Sequence, residues 1–172
     1  ITIFKIKILI EKILRKIITS IQKFRKRNYF GQNNLDFELK KYLNFKEGFF
    51  IEIGAFDGIT YSNTYQLEKK RNWTGLLVEP SKENFELCKL AREGSNVFNY
   101  LCVPFNFDKP EIIFNDLGLM SYAEILSRSL DLTEHRKGAL EHLRSINKVE
   151  KNYMVKTITL DALLKKIKAP KI

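Results

Sequence analysis

Two cysteines, two histidines, four prolines and eight glycines in 172 residues exclude several kinds of protein. Cys88 and Cys102 lack the paired spacing of a zinc site and are too few for a disulfide scaffold. They read as small apolar residues of a chain kept in a reducing compartment. His135 and His142 lie in a polar stretch and read as solvated surface residues rather than catalysts or metal ligands. A G-K-[ST] phosphate loop is absent, and so is a complete G-x-G-x-x-G nicotinamide turn. Low-complexity linkers and internal repeats are lacking too.

Positive charge is plentiful, at a net +10, but it is concentrated. Residues 1–30 hold nine basic residues and one acid, a net +8, which leaves +2 for residues 31–172. The basic pI is therefore no signature of a nucleic-acid-binding domain, and no nucleic-acid partner is expected. Residues 3–27 carry Ile6, Ile10, Ile13, Ile17, Ile21 and Phe24 at helical spacing, with lysines and arginines filling much of the other face. Residues 1–30 thus read as a basic amphipathic helical arm. It is too charged to span a bilayer and lacks the small-residue cleavage site of a secretory signal. Two roles stay open for it: a helix packed on its own domain or a partner, and a peripheral helix on an anionic membrane face. The expected place of the protein is the cytoplasm, with the inner membrane face as the alternative through this arm. Ile1 is not Met and Ile172 falls in mid-pattern, so the chain reads as a fragment of a longer protein.

From Gly31 onward the pattern is that of an α/β domain. Leu35 to Leu43 reads as a short helix. Phe49, Phe50, Ile51 and Ile53 form an apolar run that predicts a central parallel strand covered on both faces. A helix is expected from about Thr60 to Arg71, a second strand over Gly75 to Glu79, and a helix capped by Ser81 that runs to about Glu93. Asn96 to Val103 reads as a third strand. Strands alternating with helices imply βαβ crossovers and a parallel sheet. Farther on, "EIIF" predicts an extra strand, Leu117 to Ser121 a loop, and residues 122–147 polar helix. "YMVKTIT" alternates as a strand, and "TLDALLKKI" is a helix capped by Thr159.

Between the first two strands lies the turn Glu52-Ile53-Gly54-Ala55-Phe56-Asp57-Gly58. In a doubly wound sheet this turn and the end of the second strand, Glu79-Pro80, share the carboxyl edge, where ligands bind. Gly54 lets a ligand approach the backbone and Gly58 lets the chain turn into a helix. Glu79 can accept hydrogen bonds from two ribose hydroxyls, so the pattern suits a nucleoside-like ligand. Phe56 and Ile59 stand where a nicotinamide site wants glycine, which disfavours an oxidoreductase. S-adenosylmethionine needs less naked backbone, and Glu52 suits a ligand carrying an ammonium and a sulfonium.

Three linked motifs carry a resemblance. They are Ile53-Gly54-Ala55-Phe56-Asp57-Gly58, then Ser62-Asn63-Thr64 with Leu67-Glu68, then Trp73, Gly75, Leu76, Leu77, Glu79 and Pro80. At this spacing residues 49–172 resemble the FkbM-type methyltransferases, a branch of the class I S-adenosylmethionine-dependent enzymes. "LGLMS" and "KTITLDALLKKI" resemble later segments of that family. The resemblance implies a Rossmann-like class I fold, a parallel sheet with helices on both faces, with residues 31–172 as its N-terminal portion, truncated before the fourth core strand. Strand one would then be an open edge. It also implies methyl transfer from S-adenosyl-L-methionine, usually to a hydroxyl of a carbohydrate, glycolipid or natural product, so the partner would be a small-molecule or glycan acceptor. Carried over by position, Glu52, Gly54, Ala55 and Gly58 would line the methionine part of the cofactor. Glu79 would hold the ribose, Pro80 would shape the adenine pocket, and Thr60, Ser62 and Asn63 would start the helix beside the ligand. Asp57 would touch the cofactor or cap that helix. No metal is implied. The catalytic base is not assigned: Asp108, Asp116, His135 and His142 are the candidates, and the absent half is another source. A degenerate nucleoside-binding or partner-binding remnant of the fold, without catalysis, is the alternative.

Overall fold

The computed structural model describes residues 29–124 and 132–170. Most of the basic arm, and its proposed membrane role, lies outside the described residues. A 3-10 turn, Gln32–Asn34, leads into the short helix α1, Leu35–Leu39. Asn33 and Asn34 hold positive φ there, which asparagine tolerates better than most residues.

Three parallel strands follow: β1 (Phe49–Ile53), β2 (Thr74–Val78) and β3 (Asn96–Phe98), in the order β1-β2-β3. The helices α2 (Tyr65–Arg71) and α3 (Lys82–Ala91) connect them. Phe50 and Leu77 face one side, where Leu67 of α2 and Cys88 of α3 complete a buried cluster with Trp73. Gly75 is small because the Phe50 ring lies against it, at 2.3 Å from where a Cβ would stand. Leu76 and Val78 face the other side and pack on Leu163 of a C-terminal helix, α5 (Leu160–Ile167). The sheet is thus flanked by helices on both faces, an α/β arrangement compatible with a Rossmann-like fold.

The second sheet has four strands: β4 (Leu101–Val103), β5 (Glu111–Asp116), β6 (Tyr122–Ala123) and β7 (Lys151–Thr159), in the order β4-β7-β5-β6. Only β4 and β7 are parallel; β5 runs antiparallel to both its neighbours. The helix α4 (Thr133–Ser145) buries Ala139 and Leu143 against Leu117. Among the described residues, no helix is long and apolar enough to cross a membrane.

Several expectations hold. Ser81 and Thr159 cap their helices as predicted, each hydroxyl accepting a backbone N–H three residues on. The "EIIF" strand is present and extends to Asp116. Others are corrected. β1 is an edge strand, not a central one: β2 lies on one side and no described strand on the other, and Ile51 and Ile53, on the face that α5 covers at β2, are 36% and 53% exposed. This matches the open edge implied by the resemblance. The helix predicted from Thr60 begins at Tyr65, because the preceding backbone is held in turns with positive φ at Gly58 and Tyr61. The single strand predicted over Asn96 to Val103 is two strands in different sheets, broken at Asn99 and Tyr100. The Asn99 amide donates to the carbonyls of Glu79 and Pro80, which draws the chain out of line. Residues 122–147 begin as strand β6, and the Leu117 to Ser121 loop holds a 3-10 turn at Gly118–Met120.

Candidate functional site

Parallel pairing in register, Ile53 with Val78, brings the ends of β1 and β2 to one edge. The N–H groups of Gly54 and Ala55 both donate to the Val78 carbonyl, so the turn after β1 is drawn over the end of β2. Gly54 has φ 77° and nothing within 4 Å of where a Cβ would stand. It is the open floor of the turn. Gly58 has φ 78° and a different constraint: a Cβ there would meet Arg92 Cγ at 2.8 Å. Phe56, between them, also takes positive φ, 50°.

The Phe56 N–H donates to Glu79 Oε2 at 2.7 Å, and the Ser81 N–H donates to Glu79 Oε1 at 2.9 Å. One carboxylate thereby ties the turn after β1 to the start of α3. Glu79 is 5% exposed. Burial pushes its pKa up to about 7 against these two hydrogen bonds, and the charges of Asp116 and Asp57 add to the rise.

Beside this carboxylate lies a cavity of about 480 Å³. Ile53, Gly54, Phe56, Val78, Glu79 and Pro80 of the first sheet's edge line one side. Tyr100 to Pro104, Phe114 and Ala123, with Gly118 to Tyr122 in part, line the other. The cavity therefore sits between the two sheets. Its wall is largely apolar, and among the described residues Glu79 is the only carboxylate in it. A second cavity of about 350 Å³ shares Phe56, Gly118 and Leu119 with it and is lined also by Asp116, His142, Lys148 and Lys151.

The residues singled out in the sequence divide into three groups. Gly54, Glu79 and Pro80 line the cavity. Asp57 and Thr60 close a local turn: Asp57 Oδ1 accepts the N–H of Ile59 and Thr60, and Oδ2 accepts the Thr60 hydroxyl. Asp57 therefore caps a turn rather than helix α2. Glu52, Ser62 and Asn63 belong to a polar network behind the turn, and Ala55 and Gly58 are buried. Glu52 accepts the Ser62 and Thr64 hydroxyls on Oε2 and the Asn63 N–H on Oε1.

The centre of that network was not anticipated. Arg92 is fully buried. Its guanidinium donates to Glu68 at 2.8 Å, Glu52 at 3.4 Å, the Gly58 carbonyl at 3.1 Å, Ser62 at 3.1 Å and Thr64 at 2.8 Å. The Phe50 and Tyr65 rings lie against it, with centroids 5.0 and 5.7 Å away. Arg92 thus fixes the turn from behind, as Glu79 does from the cavity side. The one sequence signal for it is an arginine closing a helix whose Cys88, one turn earlier, is apolar.

Of the candidate bases, Asp108, His135 and His142 are exposed. His135 Nε2 lies 2.8 Å from the Met120 carbonyl. Asp116 is engaged: it accepts the Tyr153 hydroxyl at 2.8 Å and the Gly118 N–H at 3.2 Å. Among the described residues no cluster of His, Cys, Asp and Glu could hold a metal. Cys88 is buried, and burial pushes its thiol up to about 12, where it is inert at neutral pH. No protein-family model, curated protein or solved structure matches the chain.

Proposed function

We propose that the chain is part of an S-adenosylmethionine-dependent methyltransferase fold of class I, acting on a hydroxyl of a small-molecule or glycan acceptor in the cytoplasm. One observation carries this reading: a buried acid at the end of the second parallel strand, beside an open glycine turn, both lining one cavity between apolar walls. An ionised carboxylate offers about four lone-pair sites. Two are used by Phe56 and Ser81, which leaves two for a pair of ribose hydroxyls. Pro80 and the apolar wall of Leu101 and Cys102 suit a flat base. Gly54 leaves the backbone bare where the rest of the ligand would pass.

The cofactor supplies an activated methyl on sulfur. The chain's part is to hold the nucleoside at Glu79, to exclude water with the apolar wall, and to align acceptor and donor. Asp116 and His142 are the candidates to take the acceptor's proton, since both line the adjoining cavity. Glu52 fits less well as a ligand for the cofactor's ammonium, because its oxygens are already bonded within the Arg92 network.

A second reading has an observation of its own. Among the described residues, the first cavity is lined by no histidine, lysine or carboxylate apart from Glu79. That suits a module that binds a nucleoside and transfers nothing. Calorimetry with S-adenosylhomocysteine and with NAD tests the shared step. Binding of the former alone, weakened about tenfold or more by Glu79→Ala, is the expected result. Equal affinity with and without the carboxylate removes the ribose assignment.

A further inference from the structure

Glu79 differs from every other buried acid of the site in what surrounds it. Its two oxygens meet neutral amides, Phe56 N–H and Ser81 N–H. The groups that act on it through space are Asp57 in the turn and Asp116 at the end of β5, both acidic. On α3, Cys88 also feels its charge, as a neutral thiol. From β7, the Tyr153 hydroxyl is turned to Asp116. Arg92 spends its donors on Glu52, Glu68, Gly58, Ser62 and Thr64. The ionised carboxylate is thus desolvated and faced by like charge, with no bonded cation to offset either cost.

The same carboxylate holds a strained piece of backbone. Phe56 has φ 50°, a conformation that costs a bulky residue of order 1–3 kcal/mol and persists only where neighbours impose it. Its N–H is fixed by Glu79 Oε2. A carboxylate accepts on both oxygens, whereas a protonated carboxyl turns one of them into a donor. It can then no longer serve two N–H groups equally well, and release of the Phe56 amide is the one that relieves backbone strain.

We propose that Glu79 is a proton-gated brace: ionised, it fixes the glycine turn in the shape seen here, and protonated, it releases the Phe56 amide and loosens the floor of the cavity. The rise of its pKa to about 7 agrees with this geometry and places the change near neutrality. A consequence follows for the ligand, and it rests on the methyl-donor reading above. Ribose hydroxyls donate to the ionised form, so nucleoside binding would release a proton and tighten as the pH rises.

The brace can be followed without any ligand. In amide proton–nitrogen spectra of the labelled chain, the Phe56 and Ser81 signals should move together with a common midpoint near pH 7. Glu79→Gln should abolish the movement. Asp116→Asn, which removes one facing charge, should lower the midpoint and so serves if the glutamine variant does not fold. Amides that do not titrate, or a midpoint that Asp116→Asn leaves in place, overturn the brace. Calorimetry with S-adenosylhomocysteine then separates the two ideas. Affinity that rises about tenfold per pH unit below the midpoint and levels above it supports both. Titrating amides without binding keep the brace and remove the methyl-donor reading. Titrating amides with binding of equal strength at all pH values keep the brace and remove the ribose contact with Glu79.

Discussion

The glycine turn is held from two sides, and the two sides solve the problem of buried charge in opposite ways. Behind it, Glu52 and Glu68 meet the fully buried guanidinium of Arg92. Burial acts to raise the pKa of Glu68, but hydrogen bonds from Ser95 and Arg92 and the charge of Arg92 outweigh it, and the net shift is downward. On the cavity side, Glu79 has amides and like charges instead, and its pKa rises. Glu68 is thus held in its charged form at one wall, and Glu79 is poised between forms at the other. The closed wall is built for permanence, and the open wall still has bonding capacity to offer.

Removing the cation breaks the comparison most severely. Arg92→Met should cost about 3–5 kcal/mol in urea unfolding, because it leaves two carboxylates behind the turn without their counter-charge. A loss below about 1 kcal/mol would mean that the network relaxes into solvent.

Next in size is a difference in pH dependence. Folded Glu79 keeps its proton up to about pH 7, against an ordinary value of 4.5. Between these values the folded state binds more protons than the unfolded, so stability falls as the pH rises, by about 3 kcal/mol in all. Glu79→Gln should remove this slope, seen by comparing urea midpoints at about pH 5 and about pH 8. Glu68 has the opposite sign. Its contribution is present above the ordinary value and is lost as the pH falls through its lowered folded value.

The two glycines sharpen the contrast further. Gly58→Ala meets both a left-handed backbone and the side chains of Arg92 and Cys88, and should cost about 2–3 kcal/mol. Gly54→Ala meets the backbone cost alone, about 1 kcal/mol, because the space above it is open. That methyl would stand at the cavity, so its larger effect should be on S-adenosylhomocysteine affinity. Equal losses of stability at both positions would contradict the open floor.

The parts of this fold legible in the sequence are those governed by local rules. β2 is a run of buried apolar residues, and Ser81 and Thr159 are good caps in front of apolar periodicity. The placement of Glu79 at a strand end follows from the βαβ rhythm alone. What stayed hidden depends on long-range partners. Ser62 reads as part of a helix start, yet its hydroxyl and that of Thr64 are captured by Glu52, at least ten residues earlier, and α2 begins after them. Arg92 reads as one more surface cation until Glu52 and Glu68, at separations of 40 and 24 residues, are brought against it. The break at Asn99 has the same origin, since its amide bonds two carbonyls on a neighbouring strand's exit.

That break has a mechanical meaning. β3 and β4 are consecutive in the chain but belong to different sheets, and the cavity lies between those sheets. Asn99 and Tyr100 are thus a two-residue strap between two plates. The strap is not alone in joining the plates, since α5 continues β7 and packs on Leu76 and Val78 of the first sheet. A molecule seated in the gap would act as a shim, and its presence should register first as slower amide exchange at the strap and only later in the plates themselves.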